Sequence, residues 1–383
     1  MVGDRPHLPG ARYGAGLARL EGEVGRLTAA LAGTDAVRVE LAALQPAELL
    51  LDLYGEDIRA RAFVTRDDGA EMMLRPDFTL PIVRLHMETG RDEGAYVYCG
   101  PVWRRQDEGS TRAREYLQAG VEFFGGGDAA AADAETLRRI VDALGEAPVD
   151  LVIGDLGLPL AVIDALDTTP ARKAALRRHL WRPHRFHVML ERYGARQAEV
   201  TAGRAGLLAA LAEGRAPELM AAAGAPVGLR GEDEVFARLE RLRVEASTPP
   251  LDPAAVAGLE AVLAVAGPAP EALARLRAIA RGLPGLGPAV ERLEARLEAI
   301  AARGIAPGAL RFEGSFGRTT LEYYDGFVFG AVARDRADLP PVASGGRYDA
   351  LTRILGGGRG VPAVGGIVRP EALAALAEGA PWG

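Results

Sequence analysis

Tyr116-Leu117-Gln118-Ala119-Gly120-Val121-Glu122-Phe123-Phe124 is an apolar run with two polar residues set inside it. Its composition predicts a strand. Residues at even separation share one face of a strand, so Gln118, Gly120 and Glu122 look the same way, and Gly120 leaves room between the two polar groups. A buried polar group without a partner costs about 1–3 kcal/mol. If that face is covered, Gln118 and Glu122 need partners or a ligand. If it is open, they are a solvated sheet face.

Outward from this strand the chain reads as alternating strands and helices. Ala95 to Trp103 is rich in Tyr and Val, and Val149 to Ile153 is short and β-branched. A charged loop, Arg104 to Arg114, precedes Tyr116, and Ala129 to Leu144 reads as a helix. Upstream, Tyr13 to Ala32 carries Leu17, Leu20, Val24, Leu27 and Leu31 at helical spacing, and Val37, Val39 and Leu41 alternate as in a half-buried strand. Pro46 opens a predicted short helix over Ala47 to Leu53. Ala62 to Leu74 reads as a hairpin turning at Asp67-Asp68-Gly69, followed by a helix over Asp77 to Glu88. These signals predict an antiparallel α+β domain.

From Pro159 to Ala302 the composition shifts to Ala, Leu and Arg, with Pro-Gly breakers between helical signals. The expected organisation is a core domain over 1–158 and 303–383, with an all-helical insertion over 159–302. Past Leu310 β character returns, in Leu321 to Val332, in the Gly-rich Ser344 to Asp349 and in Ala363 to Val368, before a last helix over Pro370 to Ala377.

Composition excludes several classes. The 383 residues suggest two or three folding units, and 49% hydrophobic with 25% charged residues is an ordinary globular balance. The net charge of −7 offers no global attraction for nucleic acid. A single cysteine, Cys99, permits no internal disulfide and no cysteine zinc cluster, which fits a reducing cytoplasm. The N-terminal stretch has no signal-peptide character, and no apolar run is long enough to span a membrane. Lys173 is the only lysine, so there is no glycine-lysine phosphate loop.

The residues that carry chemistry are Gln118, Glu122, Asp77 and Thr79 at a helix start, and the hydroxyls of Tyr323, Tyr324 and Tyr348. Together they suit a zwitterion with a polar side chain: carboxylates meet an ammonium, and a carboxylate with a phenol grips an imidazole. Singly, each has a plainer reading. Asp77 suits a helix N-cap, and the tyrosines suit a core with satisfied hydroxyls.

These residues lie in motifs that resemble those of histidyl-tRNA synthetases. Leu74-Arg75-Pro76-Asp77-Phe78-Thr79 resembles their LRPE-x-T segment. Gly100-Pro101-Val102-Trp103-Arg104 with Arg114-Glu115-Tyr116-Leu117-Gln118-Ala119-Gly120-Val121-Glu122 resembles class II motif 2. Leu321-Glu322-Tyr323-Tyr324-Asp325-Gly326 is similar to LDYYTG, Gly345-Gly346-Arg347-Tyr348-Asp349 to GGRYD, and Pro362-Ala363-Val364-Gly365 to the run into motif 3. The resemblance implies a class II aminoacyl-tRNA synthetase-like antiparallel sheet of roughly six or seven strands flanked by helices, normally dimeric. The anticodon-binding domain, about a hundred further residues in a synthetase, is not expected.

The departures from those motifs bear on function. Thr319 stands where the synthetases have the arginine before LDYY, and Arg318 is out of register by one. Ala372 stands where motif 3 has its ATP-binding arginine, Arg369 replaces a glycine, Gln106 replaces the motif 2 glutamate, and Ala42 stands near the motif 1 proline. A charge-assisted hydrogen bond to phosphate contributes about 1.5–3 kcal/mol, so losing two arginines disables triphosphate chemistry. Asp77, Thr79, Arg104, Gln118, Glu122 and Tyr324 match the histidine-contacting positions, and Tyr323 and Tyr348 complete the expected histidine-binding set. This pattern resembles the synthetase-like regulatory subunits of ATP phosphoribosyltransferase. Those are non-catalytic proteins that join a short-form catalytic subunit for the first step of histidine biosynthesis and mediate allosteric feedback inhibition by histidine. The resemblance implies no cofactor, no metal, no tRNA and no membrane, with a homodimer core inside a cytoplasmic hetero-oligomer. The alternative is a divergent histidine-activating enzyme.

Two weaker signals remain. Arg177 to His187 mixes cations with aromatics and reads as a solvated helix end; His184, His187 and Glu191 have helical spacing, but the arginines beside them oppose a metal ion. Gly356-Gly357-Gly358-Arg359-Gly360 reads as a flexible connector rather than a phosphate nest.

Overall fold

A computed structural model describes residues 12–47, 60–110, 112–194, 202–223, 231–318 and 323–378. The chain divides into two compact units, one formed by 1–162 with 260–383 and the other by 163–259. The described strands are β1 (Val37–Arg38), β2 (Leu44–Pro46), β3 (Val64–Asp67), β4 (Ala70–Leu74), β5 (Gly94–Trp103), β6 (Glu115–Phe124), β7 (Val149–Asp155), β8 (Ala266–Pro268), β9 (Leu310–Glu313), β10 (Phe327–Ala333), β11 (Ala343–Arg347) and β12 (Ala363–Val368). The described helices are α1 (Gly14–Ala32), α2 (Thr79–Thr89), α3 (Ala129–Leu144), α4 (Gly157–Ala165), α5 (Pro170–His179), α6 (Pro183–Gly194), α7 (Ala202–Ala212), α8 (Ala216–Ala222), α9 (Glu232–Ser247), α10 (Pro253–Ala264), α11 (Ala269–Ala280), α12 (Leu286–Ala302), α13 (Asp349–Leu355) and α14 (Pro370–Glu378).

The first unit is built on a nine-stranded sheet in the order β1-β5-β6-β12-β11-β10-β7-β9-β8. It is wider than the six or seven strands expected, because the short strands β1, β8 and β9 extend its edges. Pairing is antiparallel except for β1 with β5 and β7 with β9. β2, β4 and β3 make a second, three-stranded sheet. Its hairpin turns where the sequence predicts, with Asp68 at φ 45° and Gly69 at φ 85°, the left-handed conformations such a turn needs. The predicted helix over Ala47 to Leu53 lies almost wholly outside the described residues, as do Thr319 to Glu322. Tyr323 to Gly326 is not strand, so the run predicted from Leu321 begins pairing only at Phe327.

Helices cover the sheet with apolar stripes. Leu27 and Leu31 of α1 and Leu137 and Ile140 of α3 are fully buried. α3 starts at an Asp128 cap, whose carboxylate accepts the Ala131 N–H at 3.0 Å.

The helical insertion is shorter than composition suggests. α11 and α12, assigned by their Ala-Leu-Arg content to the insertion, belong to the first unit. The reason is a buried charge. Arg296 of α12 donates to Asp133 Oδ2 of α3 at 2.7 Å and to Asp155 Oδ2 of β7 at 2.6 Å. Arg347 of β11 reaches the other oxygen of Asp133 at 2.7 and 2.9 Å. Composition cannot distinguish an arginine on a surface helix from one that holds two core carboxylates. Among the described residues of the second unit, 163–259, the regular structure is helical. It has its own half-buried ion pair, Arg172 of α5 with Glu245 of α9 at 3.0 Å, and Arg172 also donates to Pro249 O at 2.7 Å.

The glycine run at 356–360 is a tethered turn rather than a loose connector. Arg359 donates to Asp92 at 2.8 Å and to Arg91 O at 2.6 Å. Among the described residues, no helix is long and apolar enough to cross a membrane.

Candidate functional site

β6 places Gln118 and Glu122 on one buried face, 2% and 1% exposed. They are therefore not a solvated sheet face. Glu122 is paired in register with Tyr96 on β5 and with Gly365 on β12. A Cβ at 365 would lie 1.5 Å from Glu122 Oε2, so only glycine lets the carboxylate lie across the neighbouring strand.

Three hydroxyls converge on that carboxylate. Thr79 and Tyr98 donate to Oε1, each at 2.9 Å, and Tyr348 donates to Oε2 at 2.5 Å. Burial pushes the Glu122 carboxyl up to about 7, and the charge of Asp77 adds to this, while the three hydroxyl bonds hold it down. Burial likewise pushes the phenols of Tyr98, Tyr323 and Tyr348 well above their ordinary range, so each stays a donor.

Asp77 is buried at the start of α2 but does not cap it. The N-cap position is Phe78, and no side chain closes the helix start. Asp77 instead faces Tyr323, whose hydroxyl donates to Oδ2 at 3.4 Å. The rings of Tyr323 and Tyr324 meet edge-on at 4.9 Å, and those of Tyr323 and Tyr348 at 6.0 Å. The structure thus brings Asp77, Thr79, Glu122, Tyr323, Tyr324 and Tyr348 into one cluster. Gln118 lies on the same face, with its Oε1 buried and without a hydrogen-bond partner. Arg104 acts at the edge, where its Nε donates to Pro76 O at 2.8 Å and braces the turn that presents Asp77.

Two details depart from the sequence reading. The room above Gly120 is occupied by the Tyr98 ring, whose Cζ and hydroxyl both lie 2.4 Å from where a Cβ would be. Tyr324, one of the expected histidine-contacting residues, makes no direct bond to Glu122 among those the structure shows; the bonds come from Tyr348, Tyr98 and Thr79. Tyr98 joins the site although it is not among the residues the sequence points to. The signal was present in its register, since β5 and β6 pair antiparallel with Tyr98 opposite Gly120.

The tyrosines are held by a second layer. Asp325 accepts the Asp349 and Ala350 N–H groups at 3.1 and 2.6 Å, tying the Tyr324 turn to the one after Tyr348. Burial first, and then the nearby Asp349 charge, push the Asp325 carboxyl up to about 6.

The positions that depart from the synthetase motifs have their own tasks. Gln106 donates its Nε2 to Ala113 O at 3.1 Å, closing the loop before β6, a bond that an ionised glutamate cannot make. Ala372 is fully buried in α14. Glu371 accepts the Leu117 N–H at 2.9 Å. Arg369, unassigned from sequence, interacts electrostatically with Tyr116, Arg104 and Tyr324. Thr319 lies outside the described residues. Among the described residues no three His, Cys, Asp or Glu side chains are grouped to hold a metal, and His187 pairs with Glu191 at 3.2 Å.

Two buried carboxylates, four phenols and an unpaired amide oxygen make a small acceptor-rich site. Its chemistry suits a ligand that brings N–H donors or positive charge.

Fold and site together define a class II synthetase-like protein of the histidyl type. The family model described as Histidyl-tRNA synthetase matches residues 32–373. Among solved structures, an ATP phosphoribosyltransferase regulatory subunit/histidyl-tRNA synthetase from Bacillus halodurans is similar with TM-score 0.69 and 19% identity, covering 98% of this chain and 83% of that one. A histidine–tRNA ligase subunit from Alicyclobacillus acidocaldarius has TM-score 0.59 and 23% identity, covering 98% and 97%. Curated relatives from Brucella canis and Brucella ovis, both named ATP phosphoribosyltransferase regulatory subunit, are 33% identical over 360 residues, 90% of this chain and 94% of theirs. The chain belongs to the family of ATP phosphoribosyltransferase regulatory subunits.

Proposed function

We propose that this chain is a non-catalytic subunit that joins a short-form ATP phosphoribosyltransferase catalytic subunit, is required for the first step of histidine biosynthesis, and conveys allosteric feedback inhibition by histidine. The observation that carries the reading is the Glu122 carboxylate, buried and held by three hydroxyls beside Asp77. An imidazole N–H is a natural donor to it, and Asp77 with Gln118 suits an α-ammonium. Cations for a triphosphate are fewer. Ala372 and Gln106 stand where the synthetase motifs carry an arginine and a glutamate, so adenylate formation and tRNA charging are not part of this reading. Feedback requires that histidine bind two states of the assembly unequally.

The same reading includes a cytoplasmic hetero-oligomer with a homodimer core. Its support is a groove of about 630 Å³ beside α1, lined by Leu17, Leu20, Val24, Val97 and Leu117. Val37 on the adjoining sheet edge is 60% exposed. Leu27 and Leu31, on the same predicted helix face, are committed to the core instead.

The test is reconstitution. The purified chain, mixed with a short-form catalytic subunit, is expected to restore phosphoribosyl transfer to ATP and to make it sensitive to histidine. ATP–pyrophosphate exchange by this chain alone, driven by histidine, supports the histidine-activating alternative instead.

A further inference from the structure

Tyr98 is buried in the middle of β5, with its hydroxyl 2.9 Å from Glu122 Oε1. Its ring fills the space that Gly120 leaves on the facing strand. The ring also stacks on Phe78, with centroids 4.4 Å apart and planes inclined by 17°, and the Arg75 guanidinium lies 4.2 Å from the Phe78 centroid. Phe78 sits between Asp77 and Thr79, so the stack couples Tyr98 to the turn that carries two other members of the site.

A carboxylate has about four acceptor positions, two on each oxygen. Thr79 and Tyr98 take both positions on Oε1, and Tyr348 takes one on Oε2. One acceptor position is left, on Oε2. We propose that Tyr98 is a positioning residue that sets ligand specificity: by filling Oε1 together with Thr79, it leaves Glu122 a single acceptor, suited to a ligand that presents one N–H at that depth. The edge of a heteroaromatic ring meets this condition. An ammonium brings three donors, of which Glu122 can accept only one, so it is better served by Asp77 and the unpartnered Gln118 Oε1 than by Glu122. This rests on reading the cluster as an amino-acid pocket.

The ionisable groups facing Glu122 are Asp77 before α2, Tyr98 on β5, Tyr323 and Tyr324 before β10, and Tyr348 after β11. The Tyr98 bond favours the ionised carboxylate, so its removal raises the pH at which Glu122 titrates.

Tyr98→Phe keeps the ring, its stack and the filled space, and removes only the donor. Infrared difference titration of the carboxyl band, identified by its loss in Glu122→Gln, measures the midpoint without any ligand. Calorimetry measures histidine affinity. The expected result is a midpoint higher by about half a unit to one unit and histidine binding weaker by about 3- to 10-fold. An unchanged midpoint overturns the proposal whatever the affinity does, since packing alone would then account for any loss. A raised midpoint in a protein that binds no histidine in its native form supports the hold of Tyr98 on Glu122 and overturns only the histidine reading. Gly120→Ala is the second variant. Its Cβ pushes the Tyr98 ring away from Glu122, and a folded Gly120→Ala protein with a native midpoint also overturns the proposal.

Discussion

Gly365 lies opposite Glu122 in the β6–β12 ladder, and a Cβ on residue 365 would come within 1.5 Å of Glu122 Oε2. The side chain that forms the site and the side chain that is absent from the neighbouring strand are therefore one design. Gly365→Ala forces the carboxylate off its three hydroxyl partners. The expected cost is about 1–3 kcal/mol of stability, in the range of overpacked cores, together with loss of histidine binding. Urea unfolding and a histidine titration check the two effects; retention of native affinity contradicts this geometry.

Glu122→Gln preserves shape and removes charge. Histidine binding is expected to weaken by about 1–3 kcal/mol, the range for a hydrogen bond to a charged group. Titration calorimetry of the variant beside the native chain reads this directly.

The Glu122 carboxyl, pushed up to about 7 by burial, also makes stability depend on pH. The folded state holds the proton more tightly than the unfolded chain, whose glutamate titrates near about 4.3. The protonated carboxyl therefore contributes stability that is full below the unfolded value and is lost as pH rises through about 7. Each unit of difference corresponds to about 1.4 kcal/mol. The native chain should lose Tm between pH 5 and 8 more steeply than Glu122→Gln. Parallel slopes would show that Glu122 does not titrate in this window.

Arg296 binds Asp133 and Asp155, all three nearly or fully buried. Arg296→Ala leaves both aspartates without that partner, and a broken buried ion pair costs about 3–5 kcal/mol. Denaturant unfolding should show a loss of this size if α12 is a core helix. A loss below about 1 kcal/mol, the range for exposed pairs, would return α12 to the surface insertion.

Leu20→Asp and Val24→Asp place charge in the groove beside α1. Sedimentation is expected to show dimers for the native chain and monomers for the double variant. Native particles of monomer mass at micromolar concentration would remove the homodimer from the proposed assembly.

Much of the site is legible in the sequence because its chemistry is local. Polar residues inside an apolar strand run mark the β6 face, and the ordered motifs gather Asp77, Thr79, Tyr323, Tyr324 and Tyr348 around it. What sequence does not show is which hydroxyl meets which oxygen. Tyr98 looks like any strand tyrosine until β5 and β6 are paired in register and Gly120 is found opposite. Asp77 looks like a helix cap because capping is the commoner use of aspartate before a helix, yet the helix begins one residue later and Asp77 faces Tyr323. The boundary of the insertion is hidden for a similar reason. Arg296 sits in a helix of surface-like composition, and only its long-range partners reveal that it is buried.

The most direct measurement is titration calorimetry of the purified chain with histidine and, separately, with ATP. If the proposed reading holds, with the amino-acid site kept and fewer cations for a triphosphate, the chain should release heat of saturable one-site binding with histidine and none with ATP. Saturable ATP binding in the absence of histidine, or no binding of histidine at millimolar concentration, contradicts the account.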